Sequence, residues 1–216
     1  MNDVYACVSN GDIYKQTGGT GDFVALSQEA RGWASMVATA SGDVYACVWS
    51  GDIYKQEGGT GDFVALSQEA RYWWGMAATA SGDVYACVWS GDIYKQTGGT
   101  GDFVALSQEA RGWYGMVATA SGDVYACVGN GDIYKQEGGT GDFVALSQTS
   151  RWWRGMAATP SGDVYASVYG GDIYKQEGGT GDFVALSQGA RSWYGMACYS
   201  FDTYSSPLPA FRRPTS

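Results

Sequence analysis

The chain has 216 residues, with 22 acidic against 13 basic side chains, a net charge of −9, and no histidine. That balance argues against nucleic acid or an anionic membrane surface as the main partner, since both need a basic footprint. The lack of histidine removes the commonest metal ligand and the usual general base near neutral pH.

The start, Met-Asn-Asp-Val-Tyr, enters a repeat at once. No apolar run spans a bilayer and no signal peptide is visible, so the reading is of a soluble chain. Gly-Asp-Ile-Tyr-Lys-Gln recurs at Gly11, Gly51, Gly91, Gly131 and Gly171, always 40 residues apart. A period of this size sets the architecture before anything else is read. In the copy from Ser41 to Ala80, four extended runs follow in order: Asp43–Val48, Asp52–Gln56, Asp62–Leu66 and Gly75–Thr79. They are rich in Val, Ile, Tyr and Phe, and Gly, Ser and Asp fill every junction, which is turn chemistry. No segment sustains a helical period. Four short antiparallel strands per unit of this length are the signature of a propeller blade.

We label these strands B, C, D and A, with A innermost. The chain begins on strand B at Asp3 and, after four complete units, supplies a spare A at Gly195–Cys198. The expectation is therefore an all-β, five-bladed β-propeller over residues 1–200, with four antiparallel strands per blade. Residues 2–28 and 194–200 share the first blade, so a C-terminal strand closes the ring non-covalently and removes two open edges. The ring is expected to be monomeric. Residues 201–216 hold three of the four prolines and Arg212-Arg213, and read as a tail in which Phe201, Tyr204, Leu208 and Phe211 are candidates for docking on the ring.

Cys7, Cys47, Cys87 and Cys127 occupy one repeat position, with Ser167 in the fifth copy. With no CxxC and no histidine, they read as small buried residues rather than metal ligands. Cys198 falls on the spare A strand next to the strand of Cys7. The hairpin register decides whether the two face each other; reduced thiols are favoured over a bridge, which would need an oxidising compartment.

The paired motifs Gly-Asp-Val-Tyr-Ala and Gly-Asp-Ile-Tyr-Lys, with the shared-strand closure, resemble the tachylectin-2-type five-bladed lectins of the β-propeller superfamily. The resemblance covers residues 3–200 as architecture and a few residues per blade as motif. It implies sugar sites between neighbouring blades on one face. The blade here is shorter and its loops differ, so no individual sugar-binding residue is carried over. The Trp-Asp dipeptide of WD40 blades is absent.

The copies differ in two clusters. After strand B stand Ser9-Asn10, Trp49-Ser50, Trp89-Ser90, Gly129-Asn130 and Tyr169-Gly170. After strand D, Glu29-Ala30 and its next two copies give way to Thr149-Ser150 and Gly189-Ala190. Gly32, Tyr72, Gly112, Trp152 and Ser192 then differ, as do Ala34, Trp74, Tyr114, Arg154 and Tyr194. Strand direction alternates within a blade, so the B–C and D–A connections emerge on one face. Rigid aromatics with adaptable polar groups are what binding surfaces use. Loop drift would also produce variation, but it favours small polar residues over exposed tryptophan. The candidate ligand-binding residues are accordingly Asn10, Trp49, Trp89, Asn130, Tyr169, Tyr72, Trp74, Tyr114, Trp152, Arg154 and Tyr194. Fixed Trp33, Trp73, Trp113, Trp153 and Trp193 alternate with them, which directs them to packing between blades, with a pocket wall as the second possibility. The Tyr5-type, Tyr14-type and Met36-type residues read as core, and the Arg31 and Asp12 sets as turn or ion-pair residues.

Catalysis is not expected. The carboxylates repeat fivefold after glycine in turns, whereas an active site needs one asymmetric constellation. Gly18–Asp22 lacks the lysine and following helix of a phosphate loop. No metal or other cofactor is implied. The expected function is multivalent, lectin-like carbohydrate binding at inter-blade sites on the B–C and D–A face. The alternative is a protein-interaction, designed or repeat-amplified propeller scaffold.

Overall fold

Turn residues at every junction leave only short extended runs, and the chain folds into strands joined by single turns. The computed structural model describes residues 3–198. The first complete blade comprises strand A, Arg31–Ala38; B, Val44–Gly51; C, Ile53–Gln56; and D, Val64–Ala65, and the same pattern recurs every 40 residues to Ala185. Within a blade the order is A-B-C-D, all antiparallel; in the next copy Ala77 faces Tyr85, Cys87 faces Ile93, and Tyr94 faces Ala105. Propeller geometry follows, with five repeats of the strand pattern.

Aspartates fix the turns. Asp52 accepts the backbone N–H of Ile53 at 2.7 Å and of Gln68 at 2.8 Å, tying the start of C to the end of D. Asp43 accepts the Gly58 N–H at 2.8 Å and pairs with Lys55 at 2.9 Å, holding the short 3-10 turn Glu57–Gly59. The Gly58 N–H, helped by Lys55, outweighs burial and holds the Asp43 carboxyl below its ordinary range.

Two boundaries differ from those read in the sequence. Strand D is only two residues long, because beyond Ala65 the chain turns at Ser67, whose φ is 55°. Strands A and B are longer than expected. B runs past Val48 to Gly51 and A begins at Arg71 rather than Gly75, because these ends pair with each other across blades: Trp49 faces Tyr72 and Gly51 faces Arg71. Each blade is thereby sewn by backbone hydrogen bonds to the next, in addition to side-chain packing.

The core lies in these seams. Ala77, Tyr85 and Ile93 of one blade pack on Trp113, Met116 and Phe143 of the next, all buried. Full burial of such side chains contributes roughly 1.5–3 kcal/mol each. Three polar bonds register the seam. The Tyr85 hydroxyl and Lys95 ammonium each donate to the Gly139 carbonyl at 3.0 Å, and the Phe143 N–H donates to Gln108 Oε1 at 3.1 Å.

The junction between the fifth unit and the first is different. The first unit's own sheet has three strands, Val4–Cys7, Ile13–Gln16 and Val24–Ala25, while Ser9–Gly11 pairs with the next blade, and no ladder joins Val4–Cys7 to residues 193–198 among the described residues. Phe23 is 44% exposed where Phe63 is 7%, and Val8 is 48% exposed where Val48 is 8%. Met196 nevertheless lies beside Ala157, Tyr165 and Ile173, as Met116 lies on the equivalent residues of its own seam. Arg191–Ser192 pairs with Tyr169 and Gly171 of the fifth unit, residues 193–198 run on without strand pairing, and Val8 and Phe23 of the first unit stay exposed. The register of the formed blades also bears on the thiols. Gly75 faces Cys87 and Ala78 faces Val84. The same pairing would set Cys7 opposite Gly195 and Cys198 opposite Val4, roughly 10 Å along the strand, too far for a bridge between Cys7 and Cys198. Residues 199–216, including the tail and its four docking candidates, lie outside the described residues.

Candidate ligand-binding face

The position after strand B and the second residue of strand A, one from each diversified cluster, lie on strands and are register partners. The facing pairs are Ser9–Gly32, Trp49–Tyr72, Trp89–Gly112, Gly129–Trp152 and Tyr169–Ser192. In three of these five pairs a large aromatic stands opposite Gly or Ser, so the two clusters vary together to fill one cross-strand space. The residue after each, Asn10, Ser50, Ser90, Asn130 or Gly170, has φ between 57° and 68°. That left-handed conformation restricts the position to Asn, Ser and Gly, so backbone geometry accounts for the identities of Asn10 and Asn130.

The third variable position sits on a β-bulge. Trp73 pairs with Val88 and Gly75 with Cys87, leaving Trp74 as the extra residue, and the same irregularity recurs at Ala34, Tyr114 and Arg154. A bulge re-aims a side chain, here toward the mouth of the central channel, where Ala34, Trp74, Tyr114, Arg154 and Tyr194 meet. The cysteines hold this device. The Gly75 N–H donates to Cys87 Sγ at 3.3 Å, and Cys87 donates to the Tyr114 carbonyl of the next blade at 3.6 Å. Ser167 takes over the first role for Gly155 at 3.0 Å. Glycine is needed beside the bulge because a Cβ at Gly75 would lie 2.2 Å from the Tyr114 oxygen. Where Ser35 replaces that glycine, the Cys47 bond to the Trp74 carbonyl lengthens to 3.9 Å. Burial pushes the Cys47 and Cys127 thiols up to about 12, and Cys87 also upward, so all three remain protonated.

The variable side chains do not form five equivalent sites. Trp49 is the hub of one aromatic cluster, with ring centroids 4.7 Å from Tyr72, 4.8 Å from Trp74 and 5.9 Å from Trp89, and Tyr72 lies 6.5 Å from Trp89. Trp74 touches Tyr114 edge-on at 5.3 Å. Trp49, Trp74, Trp89 and Tyr114, together with Asn10, line a cleft of about 520 Å³ spanning three units, with Tyr72 packed on Trp49 beside it. Tyr72 and Trp89 remain exposed, while Trp49 and Trp74 are half-buried. Across the channel mouth, the Arg154 guanidinium stacks on Tyr114 at 3.8 Å, with Trp152 and Tyr169 at 5.7 Å, and Tyr169 contacts Tyr194 at 5.5 Å. Asn130 stays exposed and joins neither aromatic group in these contacts.

Among the fixed tryptophans, Trp33, Trp73, Trp113 and Trp153 are buried in the seams, and Trp193 is half-buried at the open junction. Each of the first four lies edge-on against a tyrosine of strand C in its own blade, Trp113 on Tyr134 at 5.1 Å. Trp113 also floors a smaller groove of about 270 Å³, where Gln108, Glu109, Arg111, Tyr134 and Asp142 supply polar groups. Arg31, Arg71 and Arg111 each pair with the glutamate two residues earlier and stack on that strand C tyrosine, Arg111 on Tyr134 at 4.8 Å. Sequence reasoning placed these arginines in ion pairs but missed the groove they border, because its walls come from segments 35 residues apart. Among the described residues, no three His, Cys, Asp or Glu side chains cluster as metal ligands, and no helix is long and apolar enough to cross a membrane.

No family model matches the chain, and no curated protein is found by sequence. Solved structures do match in fold. Virginiamycin B lyase from Staphylococcus aureus superposes with a TM-score of 0.70 at 11% identity, covering 92% of this chain and 71% of the lyase. The computationally designed Ika8 protein gives 0.66 at 16% identity, covering 93% and 63%. YCF48 bound to D1 peptide gives 0.58 at 17% identity, covering 84% and 64%. At these identities the likeness concerns the fold alone. With the strand topology, it makes this chain an all-β, five-bladed propeller.

Proposed function

We propose that the protein is a non-enzymatic binding scaffold whose principal site is the single asymmetric aromatic cleft around Trp49. The observation that carries this reading is the convergence of diversified residues from successive units, Trp49, Tyr72, Trp74, Trp89 and Tyr114, into one connected set of rings. Exposed aromatics gathered into a patch are costly to solubility unless a ligand covers them. They are also the side chains that dominate binding energy at interfaces. The rigid, sewn blades hold them without an ordering cost on binding. One structural neighbour, YCF48, is bound to the D1 peptide in its structure, which suits a protein or peptide ligand. Screening a displayed peptide library against the wild type and against Trp49→Ala tests this. Peptides selected by the wild type should lose binding to the variant; retention of all of them would remove the cleft as the site.

Carbohydrate binding is the second reading, favoured by the polar groove at Gln108, Arg111, Tyr134 and Asp142, which repeats with the blades. It agrees with the lectin resemblance and would be multivalent, with weak sites summing to avidity. Calorimetry separates the two: several equivalent weak sites for a monosaccharide support the lectin reading, and one site per chain supports the scaffold.

A further inference from the structure

We infer that Arg154 is the anion-binding end of the aromatic cleft, and that the ligand is a monocarboxylate whose body is an aromatic ring. This rests on the cleft being the binding site. Arg154 is the one cation among the five residues at the channel mouth, where the other copies carry Ala34, Trp74, Tyr114 and Tyr194. Its guanidinium lies flat against Tyr114 at 3.8 Å, and Trp152 and Tyr169 flank it. Its Nε is buried and has no hydrogen-bond partner. Among the described residues, Arg154 forms no ion pair.

The glutamate that pairs with the first arginine of strand A is also missing from its unit, which leaves Arg151 without that partner as well. Arg31, Arg71 and Arg111 each carry a paired glutamate, whereas Thr149 stands at that position in the fourth unit. A cation partly removed from water with an unmet donor gains most from an incoming acceptor. Stacking on rings occupies the faces of a guanidinium, and with Nε the buried nitrogen, the Nη1–Nη2 edge is the one that can match a carboxylate in bidentate fashion. Tyr114 supplies the second half of the specificity. It touches Arg154 on one side and Trp74 on the other, at 5.3 Å. Arg154, Tyr114 and Trp74 line the channel mouth together, so a ligand with its carboxylate on Arg154 meets the Trp74 ring next, where the Trp49 cleft begins.

The test titrates N-acetyl-tryptophan, N-acetyl-tryptophanamide, glucuronate and glucose into the intact chain, following indole N–H resonances. We expect the acid to bind about tenfold tighter than its amide, a difference the charge-assisted pair alone would supply. That ratio should fall to about one in Arg154→Met and recover in part in Arg154→Lys, while N-acetyl-tryptophanamide binds all three proteins alike. Equal binding of acid and amide to the wild type overturns the anion subsite and leaves the aromatic cleft standing. Tighter binding of glucuronate than of N-acetyl-tryptophan overturns the aromatic body. If neither tryptophan derivative binds, the cleft reading fails and this inference fails with it.

Discussion

Trp73 and Trp74 are neighbours on one strand and serve two different regions. Trp73 is 1% exposed in the seam between blades, edge-on to Tyr94 at 5.1 Å. Trp74 sits on the bulge at the channel mouth, in contact with Trp49 and Tyr114. The seam position is tryptophan in all five copies, whereas the mouth position reads Ala, Trp, Tyr, Arg and Tyr. Seam residues meet neighbours on every side, so a change there leaves a cavity or a clash. Mouth residues meet one another and solvent, so they can be exchanged without disturbing the blades. The bulge, fixed by its cysteine or serine, keeps the two regions independent although they share a strand.

The most damaging way to probe this division is Trp113→Ala, which should cost about 3–5 kcal/mol in denaturant unfolding by opening a cavity in a seam. Any loss of binding should then track the unfolded fraction. Next in size is the hinge between the regions. Cys87→Val leaves the Gly75 N–H without its acceptor and should cost about 1–3 kcal/mol. Cys87→Ser should stay within about 1 kcal/mol, since Ser167 already makes the equivalent bond. A valine variant as stable as the wild type would show that the thiol does not support the bulge.

Acid should loosen the rim opposite the binding face first. In Asp43 and Asp3 the turn N–H and the lysine partner lower the carboxyl, as they do, against burial, in Asp83 and Asp123. A lowered folded-state value contributes stability that is complete above the unfolded value near 4 and is lost as pH falls through the folded value. The midpoint denaturant concentration should therefore hold from pH 7 to about 5 and fall below about 4, and Asp43→Asn should flatten that fall. The smallest stability change belongs to the mouth. Tyr72→Ala and Trp89→Ala should each shift unfolding by less than about 1 kcal/mol while weakening ligand binding, because both side chains stay exposed and touch only other mouth residues among the ring contacts. A large loss of stability from either would mean that the mouth is part of the core.

The open junction gives the same lesson from the other side. Four seams each hold Tyr, Ile, Trp, Met and Phe side chains on a common pattern, and where no inner strand is paired to the first unit among the described residues, Val4, Val8 and Phe23 are exposed together. Identical sequence at Phe23 and Phe63 reaches opposite burial because burial belongs to the neighbour, not to the residue.

The repeat by itself determined the blade, the number of blades, the strand order and the split between fixed and diversified residues. A strict period of 40 with turn residues at its joints leaves little alternative. The alternation from Arg31 to Ala34 separated fixed from variable residues, and Trp33, Trp73, Trp113 and Trp153 are buried as that reading expected. Tertiary structure alone decided which diversified residues meet. Trp49 and Tyr72 are 23 positions apart and become partners only because the end of one blade pairs with the start of the next. The bulge that turns Trp74 and Arg154 to the channel leaves no mark in periodicity, since it is one residue in a strand of eight. The cysteines read as small buried residues, and only the fold showed that their sulfur bonds the backbone. Five copies of one local pattern cannot encode an asymmetric site by their pattern; the ring that brings their differences together creates it.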